Sequence, residues 1–194
     1  MTLADKFTSS RLVIAPAFFV VYLLPRVFPR IFSAPWTVPV LWTLFVLSEI
    51  TDMLDGIIAR KMGEVSDFGK LYDPFADTLT QITYFFCFVI DGILPPILFL
   101  VVLYREFSIL FIRNLMLRKN ITQGARMSGK IKTVTYIFAA GLALLASTAT
   151  RLDFGGGLYR GFTIAAEAVF FVSVLLAAIS FFDYFLVYIK SSKK

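Results

Sequence analysis

VPVLWTLFVLSEITDMLDGIIARKMGEVSDFGKLYDPFADTLTQITYFFCFVIDGI, residues 38–93, holds two apolar runs with a burst of acid between them. The runs, Val38–Ile58 and Tyr72–Ile93, are each about the 20 residues that cross a bilayer as helix. The junction carries Asp52, Asp55, Asp67, Asp73 and Asp77. The stretch therefore predicts two transmembrane helices joined by a short turn, with carboxylates gathered at one membrane face.

Outside this pair the same pattern repeats. Apolar stretches at Leu12–Phe28, Pro96–Met116, Ile131–Thr148 and Phe162–Ile189 bring the count to about six. The runs are continuous, whereas barrel strands would alternate with a period of two, so the chain reads as all-α. Breaks fall at PRVFPRIFSAPW by its prolines, at DGILPP by Gly and Pro, and at RLDFGGGLYRG by its glycines. The 194 residues average a hydropathy of +0.80, with 58% hydrophobic and 16% charged, which is membrane composition. No internal repeat or second domain is visible, and one helical bundle over 1–194 accounts for the chain. Residues 1–11 lack the apolar core and cleavage site of a signal peptide and are expected to be a retained cytoplasmic or interfacial segment.

Basic residues set the orientation. With a cytoplasmic amino terminus, 15 of the 19 Lys and Arg fall on the cytoplasmic side, leaving Arg26, Arg30, Arg151 and Arg160 outside. Both termini and the carboxylate mouth are then expected in the cytoplasm. The excess positive charge sits in these membrane flanks, and no nucleic-acid partner is expected.

The composition also narrows the chemistry. There is no histidine, which removes the commonest general base and zinc ligand. The lone Cys87 excludes a disulfide framework and any multi-thiolate metal site within one chain. Catalysis must use carboxylates, cations and hydroxyls. Asp52 and Asp55 are three apart at the end of one helix, and Asp73 and Asp77 are four apart at the start of the next, so each pair shares a helix face. Four facing carboxylates near a bilayer repel one another and call for a cation. Hard divalent ions such as Mg²⁺ take oxygen ligands, and two of them would clamp a phosphate or pyrophosphate. Asp67 reads as a solvated turn residue.

Written out, Asp52-x2-Asp55-Gly56-x2-Ala59-Arg60-x8-Gly69-x3-Asp73-x3-Asp77 resembles, at every fixed position and gap, the signature of the CDP-alcohol phosphotransferases. Members are integral membrane enzymes, typically of six helices, that move a substituted phosphate from a CDP-linked donor to an alcohol. The resemblance implies two Mg²⁺ or Mn²⁺ ions held by Asp52, Asp55, Asp73 and Asp77, with Asp77 as general base. It also implies donor binding by Thr8, Gly56, Ala59, Arg60 and Gly69, and a homodimer. Glycines without Cβ let the backbone approach the cytidine, and Arg60 can fork onto the donor phosphates.

The alcohol must be read elsewhere. Arg105 and Arg113 lie eight apart inside or just below the fourth apolar run, and Arg126 and Lys130 lead into the fifth. Intramembrane arginines face a partner or ligand, and this concentration of cations suits an acceptor with its own phosphate. Arg118, Lys119 and Lys132 also read as flanking charge. The Arg105-Glu106 pair, Arg113, Gly129-Lys-Ile-Lys-Thr133 and Thr8-x2-Arg11-x4-Pro16 resemble the phosphatidylglycerophosphate synthase branch of the family. That branch commonly has Asn at the place of Asp5, Lys at Thr78 and Ser near Arg126. The resemblance implies transfer of phosphatidyl from CDP-diacylglycerol to sn-glycerol 3-phosphate in the bacterial inner membrane. Inositol phosphate, inositol, serine and choline are the alternative acceptors. A membrane prenyltransferase or a carboxylate-containing transporter is the alternative outside the family, and a transporter would release no CMP.

Overall fold

The computed structural model describes residues 3–62, 69–119 and 127–192, apart from the side chains of 3–6, 55–62, 70, 127–130 and 190–192. Six helices follow in order: α1 (Leu3–Val27), α2 (Ala34–Met62), α3 (Gly69–Ile90), α4 (Pro96–Arg118), α5 (Met127–Arg151) and α6 (Gly156–Ser192). The described residues contain no strand, in agreement with the all-α reading. The helices outrun several of the apolar stretches: α1 begins at Leu3 rather than Leu12, because helix geometry continues where the chain leaves the apolar region. Phe7–Val27, Ala34–Leu54, Ile131–Arg151 and Gly156–Ile189 are long and apolar enough to cross a membrane. Helix α3 is diluted by Asp73, Asp77 and Gln81, and α4 by Arg105, Glu106 and Arg113, which is where the sequence places its chemistry.

Two helix ends explain the turns. Helix α3 stops at Gly92, whose φ of 70° continues the chain in the left-handed region; Gly92 N–H bonds to Val89 O at 3.0 Å and Ile93 N–H to Phe88 O at 2.9 Å. These are the two bonds of a Schellman cap. Helix α5 ends the same way on Asp153 (φ 54°), with Phe154 N–H on Ala149 O at 3.0 Å. Aspartate is among the few side-chain-bearing residues that tolerate this conformation. Gly155 (φ 90°) completes that turn, and the next two glycines begin α6 instead of extending the loop that RLDFGGGLYRG predicts.

The chain divides into two compact units. The first, Met1–Cys87 with Ser147–Gly156, holds α1, α2, most of α3 and the end of α5. Helix α1 packs on α2, and an aromatic layer from three helices fills the centre. The Tyr84 ring lies 4.5 Å from that of Phe18 and 5.4 Å from that of Phe45, all three buried. Lipid tails are as apolar as these rings, so the layer holds by close contact and shape rather than by escape from water. At the far end, Arg151 donates to Thr37 Oγ1 at 2.8 Å and Tyr22 O at 2.9 Å while stacking on the Tyr22 ring. Trp42 Nε1 donates to Thr148 Oγ1 at 3.0 Å. These bonds tie α1, α2 and α5 where apolar packing alone specifies little.

The second unit, Phe88–Ala146 with Gly157–Lys194, contains α4, most of α5 and nearly all of α6. Its buried small residues, Ala139 and Ala143 on α5 and Ser173 and Ala177 on α6, allow close helix approach. The Ser173 hydroxyl donates to Val169 O one turn earlier at 2.7 Å.

Candidate active site

Asp52, near the carboxyl end of α2, and Asp73 and Asp77, in the second and third turns of α3, converge in the first unit. Their carboxylate oxygens lie within 4.8 Å of one another. Spacing explains the pair on α3: residues four apart stand on one face, so both reach the same point. The guanidinium of Arg11, on α1, enters between them. Its NH1 donates to Asp52 Oδ1 at 2.5 Å and to Asp77 Oδ1, and its NH2 to Asp73 Oδ1 at 2.5 Å. Ser9 and Tyr72 share a hydroxyl bond at 2.9 Å, fastening α1 to α3 beside the cluster.

Placement follows one rule. Phe18, Phe45 and Tyr84 are each seven residues from Arg11, Asp52 and Asp77 respectively, which is two helical turns, or about 10 Å. The aromatic layer thus forms a floor under the polar one and fixes the spacing of the three helices that carry the charges.

The electrostatics are unbalanced. Arg11 is 2% exposed, whereas the side chains of Asp52, Asp73 and Asp77 are 37%, 47% and 32% exposed. With the carboxylates ionised, three negative charges meet one positive charge, a surplus of two that invites further cations. Hard oxygen donors from two helices at this separation are the set that Mg²⁺ and Mn²⁺ prefer, so these residues fit a divalent centre. The backbone of Asp55 lies one turn beyond Asp52 on α2; its side chain, like those of Ala59 and Arg60, is outside the described residues. Asp67 and Arg126 are outside them altogether, as is the side chain of Lys130. Gly69 is the first residue of α3, and Thr8 is buried on α1 one turn before Arg11.

A matching family model, CDP-alcohol phosphatidyltransferase, covers residues 1–179. The chain belongs to the CDP-alcohol phosphatidyltransferase family. It is similar to the CDP-diacylglycerol–glycerol-3-phosphate 3-phosphatidyltransferase of Treponema pallidum, at 37% identity over 189 residues, covering 95% of this chain and 88% of the relative. The protein of the same name from Bacillus subtilis is 32% identical over 147 residues, covering 74% and 76% of the two chains. That from Rickettsia felis is 27% identical over 183 residues, covering 94% and 93%. As a CDP-alcohol phosphatidyltransferase, this chain is a membrane transferase of phospholipid biosynthesis. The family is generally dependent on divalent metal, in keeping with the aspartate cluster.

Arg105 and Arg113 belong to the second unit. Arg105 Nε donates to Ala177 O of α6 at 3.0 Å and NH1 to Glu106 Oε1 at 2.8 Å. Arg113 donates to the Tyr184 hydroxyl at 3.3 Å and lies over that ring, 5.4 Å from its centroid. Lys132 Nζ reaches the same Glu106 Oε1 at 2.9 Å, and the Tyr136 hydroxyl donates to it at 3.2 Å. Lys132, for which flanking charge is one of the two readings from sequence, is buried.

Two features escape a reading by motif. Arg11 looks like one more positive-inside residue, although its place in Thr8-x2-Arg11-x4-Pro16 and the need of four aspartates for a cation both point to it. The Glu106–Lys132 contact joins residues 26 apart in sequence and leaves no local pattern.

Proposed function

We propose that the chain transfers the phosphatidyl group of CDP-diacylglycerol to sn-glycerol 3-phosphate, giving phosphatidylglycerophosphate and CMP. The observation that carries the reading is the convergence of Asp52, Asp73 and Asp77, from two helices, in a member of this family whose relatives bear that activity in their names. Asp52, Asp55, Asp73 and Asp77 would hold two divalent ions, Mg²⁺ or Mn²⁺. When bound, the ions supply charge neutralisation at the donor pyrophosphate.

The residues of the chain do the rest. The acceptor hydroxyl attacks the phosphatidyl phosphorus, and the bond from that phosphorus to the CMP oxygen breaks. The hydroxyl proton passes to Asp77, the only one of the described cluster to sit two turns into α3 and, in a chain without histidine, the natural acceptor. Arg11, lodged among the carboxylates, holds them aligned. Thr8, Gly56, Ala59, Arg60 and Gly69 bind the donor, and Arg105, Arg113, Arg126 and Lys130 bind the acceptor phosphate. The basic bias of the flanks supports a cytoplasmic active site in the bacterial inner membrane, with both termini inside. Exposed Ile179, Phe182 and Leu186 along α6 suit a homodimer contact within one membrane domain.

The test is a panel of labelled acceptors with CDP-diacylglycerol and metal, read by lipid product. Glycerol 3-phosphate should give phosphatidylglycerophosphate with stoichiometric CMP. Preference for inositol phosphate, inositol, serine or choline would retain the family chemistry and overturn this acceptor.

A further inference from the structure

The second unit holds a buried ionic cluster in which Glu106 and Lys132, beside Arg105, have no part in the chemistry above. Glu106 Oε1 accepts from Arg105 NH1 at 2.8 Å, from Lys132 Nζ at 2.9 Å and from the Tyr136 hydroxyl at 3.2 Å. The side chains of Arg105, Glu106 and Lys132 are 8%, 5% and 10% exposed. A simple ion pair in such a place would need one cation, and a second adds its own desolvation cost.

Counting charges gives the second cation a purpose. Glu106 alone would neutralise Arg105 while aiming it. With Lys132 beside the same oxygen, the three groups together carry one net positive charge, and Arg105 keeps both a fixed direction and an uncancelled charge. Its Nε is held by Ala177 O and its NH1 by Glu106, while NH2 makes no bond with the described residues. Lys132 is held by Glu106 and lies over the Tyr136 ring, 4.7 Å from the centroid. It is therefore placed to balance Glu106 and not to reach outward.

We propose that Glu106 and Lys132 are positioning residues for the acceptor phosphate: Glu106 aims Arg105, and Lys132 cancels the charge of Glu106 so that Arg105 stays cationic toward its ligand. The inference rests on the acceptor reading above, in which Arg105 meets the phosphate of sn-glycerol 3-phosphate. Loss of Lys132 should then act on acceptor affinity, and removal of the Glu106 charge should repair it.

The experiment compares wild type, Lys132→Met and Lys132→Met with Glu106→Gln, each purified in detergent with metal. Half-saturating concentrations are measured separately for glycerol 3-phosphate and CDP-diacylglycerol. Lys132→Met should raise the acceptor value about tenfold, the scale of one charge-assisted bond. The donor value should hold within about twofold. The double variant restores one net positive charge and leaves the Gln oxygen to accept from Arg105, so its acceptor value should return to within about fivefold of wild type. An unchanged acceptor value in Lys132→Met, equal shifts for donor and acceptor, or a double variant no better than the single would overturn the proposal. If Lys132→Met does not fold, the double variant decides alone: an acceptor value beyond that fivefold limit overturns it, and one within the limit supports it. Wild type that makes no lipid from glycerol 3-phosphate would overturn the acceptor reading as well, whereas wild-type turnover with failed rescue condemns only this inference.

Discussion

Two charged clusters in one chain are built in opposite ways. Around Arg11, three partly exposed carboxylates share a single buried guanidinium, so the surplus is negative. Around Glu106, one buried carboxylate serves two buried cations and a tyrosine hydroxyl, so the surplus is positive. Burial differs with the sign: the anionic surplus opens to ligands, while the cationic one is held by hydrogen bonds to Glu106 and to Ala177 O. The difference teaches that an ion-pair network in a membrane protein is read by its imbalance. A balanced network is a staple, and an unbalanced one has room for an ion of the missing sign.

The largest effects should come from the anionic side. Asp77→Asn removes the proposed proton acceptor and should lower turnover about 10² to 10⁴-fold, while CDP-diacylglycerol binding, followed by radiolabelled donor, stays comparatively intact. Near-normal turnover would break the assignment of a base to this cluster. Asp52→Asn or Asp73→Asn should reduce transfer by a similar or greater factor with the protein still in the membrane, because each removes a proposed metal ligand.

The cationic side should answer through affinity instead. Arg113→Ala removes a charge-assisted contact worth about 1.5–3 kcal/mol. It should raise the half-saturating glycerol 3-phosphate concentration about ten- to a hundredfold and that of CDP-diacylglycerol far less. A matched rise in both would erase the distinction between the two regions.

Stability sharpens the contrast further. Arg11→Ala leaves three carboxylates facing one another without the guanidinium that joins them. Breaking a buried pair costs about 3–5 kcal/mol, but these carboxylates are one-third to one-half exposed, so about 1–3 kcal/mol is expected. Thermal melting in detergent should drop accordingly and recover on adding Mg²⁺ or Mn²⁺. The smallest effect belongs to Trp42→Phe, which removes the bond to Thr148 at the far end of the first unit. It should cost about 1 kcal/mol in melting and change neither half-saturation.

How far the sequence carried depends on whether the signal was local. Asp52, Asp73 and Asp77 were legible because helical spacing puts Asp73 and Asp77 on one face and the acidic residues fall at the facing ends of two apolar runs. The six helices were legible because lipid demands long apolar runs. Arg11 was harder: near an amino terminus, one arginine reads the same whether it flanks a bilayer or enters a cluster 41 and 66 residues away. Lys132 stayed open between flanking charge and a cation of the pocket, since only folding brings it to Glu106. The start of α6 at Gly156 was hidden by a glycine run that signals a loop, when the turn is spent on Asp153 and Gly155.

The claim at the centre is that the aspartate cluster is incomplete without added cations. The direct measurement is CMP release from CDP-diacylglycerol and glycerol 3-phosphate by wild type treated with EDTA, then titrated with Mg²⁺ or Mn²⁺, alongside Asp73→Asn. The account predicts no release in EDTA, saturable recovery with either ion in wild type, and no recovery in the variant. Full release in EDTA, or recovery in Asp73→Asn matching wild type, would contradict it.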